Sequence, residues 1–147
     1  MMSAAVAQSD NSSVNVSLPE GWSKVEGSVL RHQYLKNGAS FMVKEETSLN
    51  GKPLNDAVEE AKRQISSYFK EYKLIEDVAI KVDGREARSI TYDYTAAAGG
   101  MTLKMRMRTV YLMVGGKCQT LSFGATASQF GNLTADMDKI VRGIRFR

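Results

Sequence analysis

The chain has 147 residues, enough for one domain of ordinary size and too few for two. Hydrophobic residues make up 43% and charged residues 24%, a globular balance that argues against a disordered chain. The net charge of +4 is mildly basic, and a single cysteine and a single histidine exclude a disulfide framework, multi-cysteine metal sites and most triad chemistry.

Residues 1–13 contain Ala, Ser, Asn and Asp without periodicity and read as a disordered leader ahead of one domain spanning 14–147. Ala5-Val6-Ala7 before Gln8 has the small-x-small form of a signal-peptidase site. The leader therefore reads as the remnant of an export signal, giving a periplasmic or secreted protein; the alternative is an Ala/Ser-rich start on a cytoplasmic one. No lipobox cysteine accompanies it. Unbroken apolar stretches run only a few residues, far below the ~18 needed for a membrane span.

Val14, Val16 and Leu18 alternate with polar residues as in a half-buried strand. Pro19-Glu20-Gly21 follows as a turn, and Trp22 is expected at the core edge. Val29 to Tyr34 reads as the next strand, Lys36-Asn37-Gly38 as a hairpin turn, and Phe41 and Val43 as one face of the returning strand. From Leu54 to Tyr72 an apolar stripe recurs at intervals of three and four: Leu54, Ala57, Val58, Ala61, Ile65, Tyr68, Phe69 and Tyr72. That spacing predicts a helix, with Pro53 at its first position.

Period two then returns. Val78, Ile80 and Val82 lead to an Asp83-Gly84 turn, and Ile90, Tyr92 and Tyr94 share a face of the strand that comes back. Residues 96–100 read as a loose connection. A long strand covers Met101 to Val114, turns at Gly115-Gly116 and returns over Cys118 to Ala125. Phe130, Leu133, Met137, Ile140 and Val141 predict a second amphipathic helix, capped in left-handed conformation by Gly143, before a short extended end.

The long strand is apolar at most odd positions throughout. Its even positions change from Lys104, Arg106 and Arg108 to Val110, Leu112 and Val114. A strand apolar on both faces must be covered on both, which predicts helices on both sides of the sheet near 110–114 and a projecting 104–108 end. The alternative is a bulge near Thr109 that reverses the side-chain phase. Hairpins dominate the order of elements, so the class is α+β, an antiparallel sheet with helices on both faces.

Little in this pattern points to catalysis. Cys118 beside a turn reads as a small buried thiol, and His32 beside Arg31 as a surface residue. Glu45-Glu46 and Glu76-Asp77 are neighbours in extended chain and diverge, as do Asp136 and Asp138 on their helix. Phosphate-binding glycine motifs are absent. Thioethers at Met101, Met105 and Met107 could hold Cu(I), but core packing with Leu103 and Tyr111 accounts for them more simply. No enzyme activity and no cofactor are expected.

The most distinctive polar feature is Lys104, Arg106 and Arg108 at alternating positions, about 7 Å apart. Either carboxylates on adjacent strands, such as Asp93 or Glu86, neutralise them, or they dock another protein with an acidic surface. Nucleic acid is not the expected partner, because no aromatics alternate with the charges. Trp22 is a second, lower-ranked candidate for binding.

Leu18-Pro19-Glu20-Gly21-Trp22 after an amino-terminal strand resembles the opening of the Mog1/PsbP-like superfamily, which includes the bacterial DcrB-type proteins. The long helix after three strands, the Asp83-Gly84-Arg85-Glu86-Ala87 hairpin, the long strand with its glycine turn and the closing Ile144-Arg145-Phe146 extend the likeness from about Val14 to Phe146. The resemblance implies an α/β/α sandwich and a non-enzymatic role in protein binding, assembly or chaperoning, with export in bacteria. It carries over no site residue. The other function to weigh is a carrier of a small apolar ligand in a methionine- and tyrosine-lined pocket between sheet and helix.

Overall fold

The computed structural model describes residues 14–146. The leader expected over residues 1–13 lies outside them. A sheet of seven antiparallel strands forms the body: β2 (Ser23–Lys24), β3 (Gln33–Lys36), β4 (Ala39–Glu45), β5 (Lys70–Val82), β6 (Arg85–Ala98), β7 (Met101–Val114) and β8 (Lys117–Thr126). Their spatial order is β2-β3-β4-β8-β7-β6-β5, so β8 returns to pair with β4 while β5 is left at an edge. A separate pair joins β1 (Val14–Asn15) to β9 (Arg145–Phe146). Helix α1 (Leu54–Tyr68) precedes β5, and the short α2 (Ala127–Phe130) and longer α3 (Thr134–Gly143) follow β8.

Two-residue turns set the register of this sheet. At Asn37-Gly38 and Asp83-Gly84 both central residues have positive φ (48° and 84°, 51° and 75°), the backbone that matches strand twist across a tight hairpin. Gly99-Gly100 does the same between Ala98 and Met101, which pair directly. The connection expected over 96–100 is therefore a hairpin, and β6 continues through the three alanines.

Side chains divide between two buried clusters. Phe41, Val43, Val110, Leu112, Leu121 and Phe123 share one with Met137, Ile140 and Val141 of α3. Phe41 stacks on Phe123 at 4.6 Å between ring centres. Ile90, Tyr92, Tyr111 and Cys118 share the other with Ala57, Val58 and Ala61 of α1. Successive β7 residues thus enter different clusters. Val110 and Leu112 are fully buried and Tyr111 nearly so. Each such apolar side chain contributes about 1.5–3 kcal/mol when removed from water. The ladders of β7 to β6 and to β8 run through Thr109 without a shift, so no bulge reverses the phase there.

Four local expectations are corrected. Residues 29–32 are not strand: Val29 is 83% exposed, and β3 begins only at Gln33. Helix α1 stops at Tyr68, whose ring points to solvent, because Phe69 turns extended and Lys70 already pairs with Thr95. Phe69 and Tyr72 instead join Tyr92 in an aromatic group at the sheet. Pro53 caps α1 rather than opening it. The second predicted helix is broken into α2, a 3-10 turn over Gly131–Leu133, and α3, and Gly143 ends α3 without positive φ.

Candidate functional site

Lys104, Arg106 and Arg108 project from one side of β7, the side whose later residues Val110 and Leu112 enter the α3 cluster. Strand pairing sets Arg106 opposite Asp93 on β6. The guanidinium donates from Nε to Asp93 Oδ1 at 2.6 Å and from Nη2 to Oδ2 at 3.0 Å. Arg106 thereby holds the Asp93 carboxyl below the ordinary carboxylate range despite its burial. Arg106 also lies 5.9 Å from the centre of the Phe130 ring.

Arg108 donates to Ser89 Oγ at 2.9 Å and to Asp138 Oδ1 of α3 at 3.0 Å. Lys104 has a different position. Its Nζ stands 3.9 Å from Asp93, already held by Arg106, and its side chain is 68% exposed. Of the two carboxylates weighed for the stripe, Asp93 pairs closely with Arg106 alone, whereas Glu86 pairs with Lys81 at 3.5 Å.

Beside the stripe runs an open groove of about 410 Å³ between β5–β7 and the α2–α3 segment. Ile75, Phe130 and Met137 supply its apolar lining, and its polar members are Thr91, Thr134, Arg106 and Arg108 with the carboxylates Glu76 and Asp138. Sequence reasoning missed Phe130 and Asp138 as neighbours of the arginines, since they belong to α2 and α3, which pack beside β7 from later in the chain. A hint existed in Asp136 and Asp138, two helical positions apart and hence divergent. Asp138 turns to Arg108, and Asp136 turns the other way.

Trp22 lies on that other side. Its Nε1 donates to Asp136 Oδ2 at 3.0 Å, and Lys36 Nζ reaches the same oxygen at 2.6 Å. These two donors, Lys36 first, hold the Asp136 carboxyl below its usual range. The indole packs on the edge of the α3 cluster, as expected for the core edge. The structure brings the three cations together and sets Trp22 apart from them.

A second cavity, of about 170 Å³, lies between α1 and the sheet, lined by Leu49, Ile65, Tyr92, Met107 and Tyr111, with Thr109, Thr120 and Ser122 adding hydroxyls. Burial raises both tyrosine pKa values well above the ordinary phenol range. Thr109 was the legible signal, a polar residue on an otherwise apolar parity of β7. Core packing accounts for Met107, which packs against the α1 cluster, but not for Met101, which is 64% exposed, and Leu103 also reaches solvent.

His32 is no bare surface residue. Nδ1 contacts the Tyr34 hydroxyl at 2.8 Å and Nε2 the Val14 carbonyl at 3.1 Å. Burial lowers its pKa, partly opposed by the Val14 carbonyl. Cys118 is fully buried, and that burial pushes its thiol up to about 12. Among the described residues no group of three or more His, Cys, Asp or Glu side chains could hold a metal ion. No helix among them is long and apolar enough to cross a membrane.

No protein-family profile matches the chain, and no curated protein matches it. Solved structures do. LpqN of Mycobacterium tuberculosis, involved in cell envelope biogenesis, superposes with TM-score 0.62 at 11% identity, covering 89% of this chain and 81% of LpqN. CyanoP, the cyanobacterial PsbP of Synechocystis sp. PCC 6803, gives 0.61 at 13%, over 95% and 90%. The Ran-binding protein Mog1p of Saccharomyces cerevisiae gives 0.62 at 12%, over 95% and 93%. These likenesses show the Mog1/PsbP-like fold.

Proposed function

Taking the Mog1/PsbP-like fold as premise, we propose that the chain is a non-catalytic, exported domain that binds an acidic surface of another protein through Lys104, Arg106 and Arg108. The observation that carries the reading is the state of Lys104. Its ammonium is largely exposed on the far end of β7, and the carboxylate nearest to it is already engaged by Arg106. A partner carboxylate there would meet a cation that the fold leaves largely unneutralised. Arg106 and Arg108, held in place by Asp93, Ser89 and Asp138, would present their remaining N–H donors along the groove beside Phe130.

The reading takes the two helices to cover opposite faces of the sheet, which the division of β7 side chains between the two clusters supports. Trp22 would serve as an outlying contact on the other flank of α3. Fold supplies scaffold and not site, so export rests on the Ala5-Val6-Ala7 signal and on the envelope role of LpqN.

Affinity capture from envelope extracts with the wild-type chain and with Lys104→Glu tests it. A partner retained by the wild type, lost with Lys104→Glu and released by about 0.5 M salt supports the reading. A partner held equally by both chains, or none at all, contradicts it.

The carrier reading has its own observation, the cavity lined by Tyr92, Met107 and Tyr111. Its volume is below the ~300 Å³ at which ligand pockets begin, which favours surface binding. Native mass spectrometry of the purified chain checks this second reading; a retained small molecule would favour it.

A further inference from the structure

The two edges of the main sheet are unlike. β2 ends it with two residues, too short to template another strand. β5 ends it with thirteen, without a proline, and most of its side chains are exposed. Shifts of register interrupt its first half, between Lys70 and Lys73 and between Leu74 and Glu76. From Glu76 to Val82 the strand is regular, and no described element pairs with its outer side.

The turn at Asp83-Gly84 fixes which backbone groups face outward. Val82 and Arg85 close a two-residue hairpin, so they exchange both hydrogen bonds. Alternation then directs Ile80, Val78 and Glu76 toward β6. The N–H and C=O groups of Lys81, Ala79 and Asp77 are left aimed away from the sheet.

We propose that this segment pairs antiparallel with the same segment of a second copy, across a two-fold axis at Ala79. In that register Ala79 faces Ala79, and the outward backbone groups of Asp77 meet those of Lys81 in both directions. Opposite charges therefore face each other twice. On the other face Val78 meets Ile80 twice, extending the apolar cluster that Ile80 already joins; Val78 is 38% exposed in the single chain.

Other registers lack this match. An axis on Asp77 or on Lys81 opposes like charges, and one on Val78 or Ile80 leaves Asp77 facing no cation. Asp77 already accepts from Arg88 and Lys62, with Oδ1 taking only Arg88 Nε, and Lys81 meets Glu86 only at 3.5 Å. The contact uses a different edge from the Lys104 stripe and is independent of it. It is small beside the ~1,600 Å² of a standard interface, so the dimer forms as a concentration-dependent equilibrium.

Sedimentation of the full chain from about 10 μM to about 1 mM reads the equilibrium. We expect the average mass to rise toward that of a dimer. Ala79→Pro should abolish the rise with unchanged circular dichroism, because the N–H it removes points away from β6. Should that variant fail to fold, Lys81→Asp serves, placing a carboxylate opposite Asp77. Register is read by oxidation of Val78→Cys mixed with Ile80→Cys, whose Cα atoms would stand about 4.5 Å apart across the pair. A disulfide-linked dimer is expected in the mixture and not in either variant alone; Cys118 is buried. A chain monomeric at about 1 mM, a dimer that survives both Ala79→Pro and Lys81→Asp, or cross-linking within a single variant overturns the proposal.

Discussion

Arg106 and Asp93 face each other across β7 and β6 and are joined by two hydrogen bonds, yet they are unequally buried. The aspartate side chain is 4% exposed and the arginine 30%. Removing either partner therefore has a different cost. Arg106→Met strands a buried carboxylate, with Lys104 at 3.9 Å as its remaining cation, and should cost about 3 kcal/mol in urea unfolding. Asp93→Asn frees an arginine that can turn to water and should cost about 1–2 kcal/mol. Equal costs, or the reverse order, would contradict the pairing as the source of stability.

The same pairing sets the acid limit. Asp93, Asp77 and Asp136 have folded pKa values lowered from 3.8, chiefly by hydrogen bonds from Arg106, Arg88 and Lys36. A carboxylate lowered on folding contributes stability that is fully present above its unfolded pKa. That contribution disappears as pH falls through the folded value. Thermal melts should accordingly lose stability below about pH 4, with a shallower slope in Asp93→Asn.

His32 adds an earlier step in the same direction. Its folded pKa lies below 6.5, so the unfolded chain takes up a proton before the folded one does. Stability should start to fall as pH drops through about 6.5 and level off below the folded value. His32→Gln removes this step while leaving the carboxylate limit in place. A wild-type profile flat between pH 7 and 5 would refute the assignment.

Much of this was legible in order along the chain. Turn dipeptides such as Asn37-Gly38 and Asp83-Gly84 demand one backbone geometry, and the structure uses both. The parity of β7 was equally informative, because burial of both Tyr111 and Val110 requires partners for both. The end of α1 was not legible. Phe69 and Tyr72 fit a helical stripe and a strand face alike, and pairing of Lys70 with Thr95 decides between them. The neighbours of the cationic stripe were hidden for a related reason. Asp93 is close in register and could be named, whereas Phe130 and Asp138 reach the arginines only through packing of a later segment.

Gly124 tests the packing of β7 on β8. A Cβ built there would stand 2.6 Å from the Met107 sulfur and 3.3 Å from Ser40 Oγ. The thioether therefore occupies the space that any larger residue needs. Gly124→Ala should destabilise by about 1 kcal/mol, the low end of overpacking, because the flexible Met107 side chain can give way. The double variant with Met107→Ala should recover part of that loss in a double-mutant cycle, because it removes the colliding atom. Additive costs would show that the strain lies elsewhere.

Cys118 gives a chemical reading of the whole core. The thiol is fully buried with Leu49, Ala57 and Tyr111, and its pKa of about 12 leaves almost no thiolate at neutral pH. Its backbone N–H donates to Asn50 Oδ1 at 2.8 Å, tying the residue to the turn that precedes α1. Attack on a disulfide reagent needs both exposure and deprotonation, and the folded chain supplies neither. Labelling at pH 8 should thus proceed only through opening of the α1 cluster, at a rate that rises with denaturant alongside global unfolding. Asn50→Ala should quicken labelling by loosening that turn, with a smaller effect on urea stability. Rapid labelling of the native wild-type chain would mean that α1 does not seal the sheet.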